Sequence, residues 1–287
     1  MILVNQIPIT FKSEKAFRNY VAAYDQMLSL WPKPFKSLYV NTDFGKTHIL
    51  ANGNKDAEAL VFLHGFGASA TMWYPTVQEL SKHFRTYAID YIGDFNKSIT
   101  NHIPENRGQN STWITQVLDS LNIEKVNIIG LSYGGWMTLD YLISKPERIN
   151  RAALLAPAAS LQKLNLHFWL NFLTFAFFPF TDTIKKSIKN WTAKDVHLNG
   201  YLENLIISAI KGAKPGKGVY PSLYNDDELQ RVTAPVLLLI GDEEFIYNPV
   251  KAIKRAKKLI KGIKAELIPK AGHILNIDKA EVVNPLL

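Results

Sequence analysis

The chain has 287 residues, 47% hydrophobic and 20% charged, with 33 Lys and Arg against 25 Asp and Glu and no cysteine. That length suits one globular domain with an insertion better than two full domains, and the lack of cysteine excludes a disulfide framework, a thiolate metal site and a cysteine nucleophile. A net charge of +8 would suit nucleic acid or an anionic surface, but no nucleic-acid motif accompanies it.

The opening Met1-Ile2-Leu3-Val4-Asn5 has no basic segment and too short an apolar stretch for a secretory leader, so a cytoplasmic protein is expected. Residues 14–31 carry Phe17, Tyr20, Tyr24, Met27 and Trp31 at helical spacing, with Ser13 as N-cap and Pro32 as the stop. Residues 37–40 and 47–51 are strand-like around Asp43-Phe44-Gly45-Lys46, a hairpin that gives the sheet an antiparallel start. Strands at 59–63, 86–90, 125–130 and 151–155 then alternate with helices at 74–84, 112–121 and 134–144. Such alternation predicts an α/β fold of βαβ units, a mostly parallel central sheet with helices on both faces.

Residues 158–231 break the alternation with an aromatic run from Phe168 to Phe178 and a stretch rich in Gly and Pro at 212–221. It resumes with a strand at 235–240, a helix at 250–260, a strand at 265–268 and a final helix from Asp278. The expected division is a helical segment at 1–35 packed on the core, the core at 36–157 and 232–287, and a helical cap at 158–231. Asn165, His167 and Asn171 interrupt the apolar run and Pro179 ends it short of the roughly 20 apolar residues of a membrane span. We therefore expect no transmembrane segment, and a cap helix that buries one face and lines an apolar pocket. In 251–264 the lysines alternate with Ile253, Ala256, Leu259, Ile260 and Ile263, the pattern of a solvated helix face, and no nucleic-acid partner is expected.

The chemistry is concentrated at Gly130-Leu131-Ser132-Tyr133-Gly134, which joins a buried strand to a helix. This pattern sets a serine on a sharp turn at the carboxyl end of a strand and the amino end of a helix. An alcohol needs a base, an orienting acid and oxyanion donors to attack at neutral pH. His273 follows the strand at 265–268 and is the candidate base. Gly241-Asp242-Glu243-Glu244 ends the preceding strand and offers three carboxylates, one of which should be held by the imidazole. His64-Gly65-Phe66-Gly67 ends an inner strand, so the backbone N–H groups of Phe66 and Tyr133 are the candidate oxyanion donors, with His64 organising the loop. Trp73 and Trp136 lie near these turns and are candidate substrate contacts. No metal or cofactor is required.

With these motifs in the order serine, acid, histidine, the chain resembles the α/β-hydrolase family, and within it a bacterial carboxylesterase branch. The likeness extends through Asp43-Phe44-Gly45-Lys46-Thr47-His48, Thr71-Met72-Trp73-Tyr74-Pro75 and Ile92-Gly93-Asp94, and thins across 158–231. The resemblance implies Glu244 as the triad acid, with Asp242 as the alternative, and a small-molecule ester as substrate; the aromatic cap with Trp73 and Trp136 points to an apolar part in that ester, and a packed cap core would produce the same aromatic count. Lactone, thioester, amide or carbon–carbon hydrolysis could use the same triad, and a catalytically silent binding protein could share the fold. Oligomeric state is left open.

Overall fold

The computed structural model describes residues 7–214 and 218–287. The opening six residues, with Met1 to Asn5 among them, and positions 215–217 of the Gly- and Pro-rich stretch lie outside them. Helix α1 (Glu14–Leu28) starts where the Ser13 hydroxyl accepts the Ala16 N–H, and buries Phe17, Tyr20, Ala23, Tyr24 and Met27. The hairpin β1 (Lys36–Thr42) and β2 (Gly45–Asn52) turns over Asp43 and Phe44. There follow β3 (Ala59–Leu63), α2 (Tyr74–Leu80), β4 (Arg85–Ile89), a two-residue β5 (Ile99–Thr100), α3 (Arg107–Ser120), β6 (Val126–Leu131), α4 (Tyr133–Ser144) and β7 (Ile149–Leu155).

Among the described residues, four α-helices then intervene before the sheet resumes: α5 (Leu166–Phe177), α6 (Thr181–Ile188), α7 (Gly200–Gly212) and α8 (Asp226–Gln230). The chain returns through β8 (Val236–Gly241), α9 (Pro249–Leu259) and β9 (Lys264–Ile268), and ends in α10 (Leu275–Asp278) and α11 (Ala280–Val283). The final helix expected from Asp278 is thus two short helices, broken at Lys279. Helix α3 begins five residues earlier than its apolar pattern, because the Asn106 side chain caps the polar first turn by accepting the Gln109 N–H.

The sheet runs β1-β2-β4-β3-β6-β7-β8-β9, with β5 on β2. Every pair from β4 through β9 is parallel, and the pairs made by β2 are antiparallel. One core fills the face covered by α3, α4 and α9, around Trp113, Trp136 and Tyr141. The other fills the face covered by α1, α2 and α7, around Tyr20, Phe62 and Trp73. Helix α9 buries Ala252, Ala256 and Leu259 and leaves its lysines in solvent. Among the described residues no helix is long and apolar enough to cross a membrane.

Asp90, just past β4, ties α1 and the segment before α2 to the sheet on the second face. Its fully buried carboxylate accepts from His48 Nδ1 at 2.7 Å, the Tyr24 hydroxyl at 3.0 Å and the Ala70 N–H at 2.7 Å. Burial alone would raise its pKa, but the hydrogen bond and charge of His48, with His64 and the Ala70 N–H, hold it below the usual carboxylate value. Asp90→Ala strands three buried donors and should cost about 3–5 kcal/mol, the loss seen when a buried pair loses one partner. Urea denaturation measures it; a loss below about 1 kcal/mol, the scale of one net hydrogen bond, would show that the network does not hold the sheet to α1.

Candidate active site

Strand β6 delivers Ser132 in a left-handed conformation, φ 53° and ψ −113°. A non-glycine residue there is strained and needs its surroundings to hold it. The Ser132 N–H donates to the Leu155 carbonyl at 2.9 Å, and its carbonyl accepts from Trp136 at 2.9 Å and Ala158 at 3.0 Å. The flanking glycines allow the close approach this requires. A side chain at Gly130 would run into the Gly134 carbonyl oxygen, and one at Gly134 into the Leu63 carbonyl oxygen. Ser132 therefore stands over the amino end of α4, where the helix dipole favours developing negative charge.

His273 lies on the loop after β9. Its Nε2 is 2.7 Å from Ser132 Oγ and its Nδ1 is 2.6 Å from Glu244 Oε2. With Nδ1–H donating to the carboxylate, Nε2 is left to accept the serine proton. Glu244 is buried, and its other oxygen accepts the Ile246 N–H at 3.0 Å. The loops carrying the two groups pack without a gap: the Glu243 N–H donates to the Ala271 carbonyl at 3.0 Å, and a side chain at Gly241 would strike that same oxygen. Of the other two carboxylates, Glu243 accepts the Lys194 N–H at 3.0 Å, while Asp242 is exposed and has no side-chain partner among the described residues.

The turn after β3 passes beside the serine. A Cβ placed on Gly65 would lie 3.4 Å from Ser132 Cβ and 3.9 Å from its Oγ. Among the described residues the N–H groups of Phe66 and Tyr133 have no acceptor. His64 is fully engaged in the turn, its Nδ1 donating to the Gly65 carbonyl at 2.8 Å and its Nε2 accepting the Tyr91 N–H at 3.0 Å. The Phe66 ring is 51% exposed and packs near Phe95 and Tyr133, and the Phe245 ring stands edge-on to His273.

Trp73 and Trp136 are not pocket walls. Both are fully buried: Trp73 packs on Phe62 in one core, and Trp136 fills the other while its Nε1 donates to the Ser222 carbonyl at 3.1 Å. Large flat apolar rings beside a tightly packed sheet are absorbed as core. Trp136 thereby anchors the returning end of the helical insertion, together with Tyr133, whose hydroxyl donates to the Val219 carbonyl at 2.8 Å. The aromatic run differs in the opposite sense, for α5 turns much of its apolar surface outward.

Two buried carboxylates that the motifs did not single out hold the site loops. Asp278 Oδ2 accepts the N–H of Gly272, beside His273, and that of Ala193 in the insertion, both at 2.8 Å. Asp94 Oδ2 accepts the Gly67 N–H at 2.9 Å and its Oδ1 accepts the Phe95 N–H at 2.7 Å, which fixes the turn after β3. In sequence each is one acid among many, with only nearness to a motif to mark it.

A second serine–histidine–aspartate chain runs from Ser37 Oγ to His48 Nε2 at 2.8 Å and on to Asp90. Ser37 lies within edge strand β1, with no helix amino end behind it, so this chain braces the sheet edge against α1. Among the described residues no cluster of three or more His, Asp or Glu is placed to hold a metal.

Burial pushes Asp94 from the ordinary 3.8 up to about 6, against the lowering effects of His64 and its two N–H donors. The folded chain therefore keeps a proton there that the unfolded chain loses first, and this group's contribution to stability falls as pH rises from about 4 to about 6. Relative to wild type, Asp94→Asn should gain about 2–3 kcal/mol between pH 4 and pH 7 by urea denaturation, since it removes that titration. A constant difference across that range would place the Asp94 pKa at its ordinary value.

A family model described as the alpha/beta hydrolase fold matches residues 58–280. The chain is 38% identical over 275 residues to the uncharacterized carboxylesterase nap of Bacillus subtilis (strain 168), covering 92% of this chain and 89% of that one. It is 37% identical to carboxylesterase YbfK of the same organism over 286 residues, 97% of this chain and 95% of that one. The crystal structure of the Bacillus subtilis naproxen esterase superposes with a TM-score of 0.90 at 36% identity, covering 96% of this chain and 98% of that one. With its sheet order, its serine turn and these likenesses together, the chain belongs to the α/β-hydrolase fold family.

Proposed function

We propose that this chain is a serine carboxylesterase, with Ser132 as nucleophile, His273 as base and Glu244, in place of the commoner aspartate, as the orienting acid. The observation that carries the reading is the unbroken hydrogen-bonded chain from Glu244 through His273 to Ser132 at a helix amino end. The carboxylesterase names of the relatives at 37% and 38% identity agree with it.

In this mechanism Ser132 Oγ bonds to the ester carbonyl carbon as its proton passes to His273 Nε2. The carbonyl π pair moves onto oxygen, and the N–H groups of Phe66 and Tyr133 receive the oxyanion. Glu244 holds the Nδ1–H tautomer and stabilises the imidazolium. When the oxyanion collapses, the bond to the alcohol oxygen breaks and that oxygen takes the proton from Nε2. A water then gives its proton to His273 and attacks the acyl carbon, and a second collapse returns the proton to Ser132 and releases the acid. The scheme uses no cofactor.

Residues 158–231 act as the cap. Their contacts support this, since Ala193, Lys194 and Val219 each bond a residue beside the triad or on the serine turn. The substrate is a small ester with an apolar part, in keeping with the rings of Phe66, Phe95 and Phe245 around the site and with the apolar lining usual in such pockets.

Ser132→Ala should lower turnover of an activated ester about 10⁴- to 10⁶-fold, the scale on which triad nucleophiles fail, and retained activity would sink the serine mechanism. For the acid, Glu244→Ala should lose about 10³- to 10⁴-fold while Asp242→Ala stays within about threefold, measured as kcat on the same ester. The opposite ranking would make Asp242 the acid.

A further inference from the structure

Helix α5 carries its apolar residues in an arrangement that a water-facing helix does not need. Of the seventeen large apolar side chains exposed among the described residues, seven fall between Leu166 and Phe180. Leu166, Trp169, Leu170, Leu173 and Phe177 recur three and four residues apart, and so share one outward stripe. The inward side is also apolar, through the half-buried Phe168 and Phe172. Phe178 and Phe180 extend the exposed surface past the end of the helix. A patch of this kind marks an interaction surface.

The charge around it selects the partner. Between Ser160 and Asn190 the chain has four lysines, Lys163, Lys185, Lys186 and Lys189, against the single acid Asp182. All four lysines are exposed; Lys185 pairs with Glu203 of α7 at 3.3 Å, which leaves Lys163, Lys186 and Lys189. The Ser187 hydroxyl donates to Asn171 Oδ1 at 2.7 Å, which fastens α6, with Lys185 and Lys186 on it and Lys189 just past its end, against α5. A second copy packed face to face on this patch would bring like charges together around its rim. An anionic lipid surface would satisfy both features, the stripe entering the acyl boundary and the lysines meeting headgroups. At twelve residues α5 is about 18 Å long, well short of a bilayer core of about 30 Å, so it would lie in the plane of the surface.

The same helix begins at the site. The Asn165 side chain caps α5 by accepting the Phe168 N–H at 2.9 Å. Asn165 also donates through its N–H to the Ile246 carbonyl at 2.8 Å and through Nδ2 to the Phe245 carbonyl at 2.6 Å. Those two residues directly follow Glu244, and the Ile246 N–H bonds its carboxylate. We propose that α5 and the turn after it dock on an anionic phospholipid surface and that the chain takes apolar esters dissolved in that surface. The docking stands on the exposed stripe and its lysine rim; the substrate class rests on the esterase reading above.

The test uses the full chain with vesicles of phosphatidylcholine alone or mixed equally with phosphatidylglycerol. Cosedimentation should be about tenfold stronger with the anionic vesicles. Of the six tryptophans, Trp169 is the exposed one, the others being buried or half-buried, so its emission should shift to the blue on binding. Trp169→Glu with Leu173→Glu should abolish cosedimentation, and Lys186→Gln with Lys189→Gln should reduce it about tenfold. All of these variants should hydrolyse dissolved p-nitrophenyl acetate as wild type does, while losing about tenfold or more on a long-chain ester held in the anionic vesicles.

Absence of vesicle binding by wild type overturns the docking, as does binding that survives the glutamate pair. A wild-type dimer in sedimentation velocity that the glutamate pair converts to monomer, with vesicles ignored, assigns the face to a second copy instead. Vesicle binding by a chain that hydrolyses no ester in any form upholds the docking and removes the esterase reading. Acetate ester turnover without vesicle binding does the reverse.

Discussion

The close contact of α4 with β3 and β6 is the constraint on which the site depends. Only glycine at 130 and 134 lets the helix start directly over the strands, and only that start leaves Ser132 at φ 53° with its backbone bonded on both sides. The strain is held by parallel neighbours, since β7 supplies the Leu155 carbonyl and the segment after it supplies the Ala158 N–H. The sheet thus fixes a side chain that its own backbone preference would not place there. The same approach carries the amino end of α4 up to the turn at Gly65, and two loops reach a common point without either being long.

Position at that point is further secured by carboxylates that are not part of the serine–histidine–glutamate chain. Asp90, Asp94 and Asp278 are all buried; Asp94 and Asp278 each accept two N–H groups from loops that border the site, and Asp90 accepts the Ala70 N–H together with His48 of β2 and Tyr24 of α1. A buried acid carries a desolvation cost that an amide or hydroxyl would avoid, but one carboxylate can satisfy several backbone donors at once. Asp94 shows the cost in its raised pKa, and Asp90 shows how a histidine partner reverses it. The loops of this fold are held by buried charge where the strands are held by their ladders.

Much of this was legible because it is periodic. The alternating strands and helices, the antiparallel start and the aromatic interruption follow from residue spacing alone, whereas the order in which the strands pair does not, since the handedness of the crossovers sets only the face each helix covers. Less legible were features set by tertiary contact. The two-residue β5 exists because it pairs with the start of β2, and the first turn of α3 is polar because its cap, and not its packing, starts the helix. Spacing brought Ser132 and His273 to one sheet edge but offered three carboxylates on the next turn; the choice of Glu244 came from resemblance, and what separates the three in space is burial. Trp73 and Trp136 were misread because nearness in sequence to a site loop does not tell whether a ring faces the cleft or the core. Asp94 closes the Ile92-Gly93-Asp94 stretch of the family likeness with no role attached to it, and Asp278 has no pattern at all, since a carboxylate that binds backbone N–H groups is chosen by where those groups converge.

The aromatic helix poses the converse problem. Its composition suggests burial, and a packed cap would have used it so. Yet α1 packs on the insertion chiefly through α7, and the outer stripe of α5 is bare. Asn165 and Asn171 are two of the three polar residues that interrupt the run, and each has a definite partner: Asn165 fastens the helix to the residues after Glu244, and Asn171 fastens it to α6. These bonds turn the helix so that its inward face meets the protein and its outer face is left apolar. The interruptions that make the segment too polar and too short for a membrane span are therefore what orient it, and they set the exposed stripe on the element that begins beside the residues following Glu244.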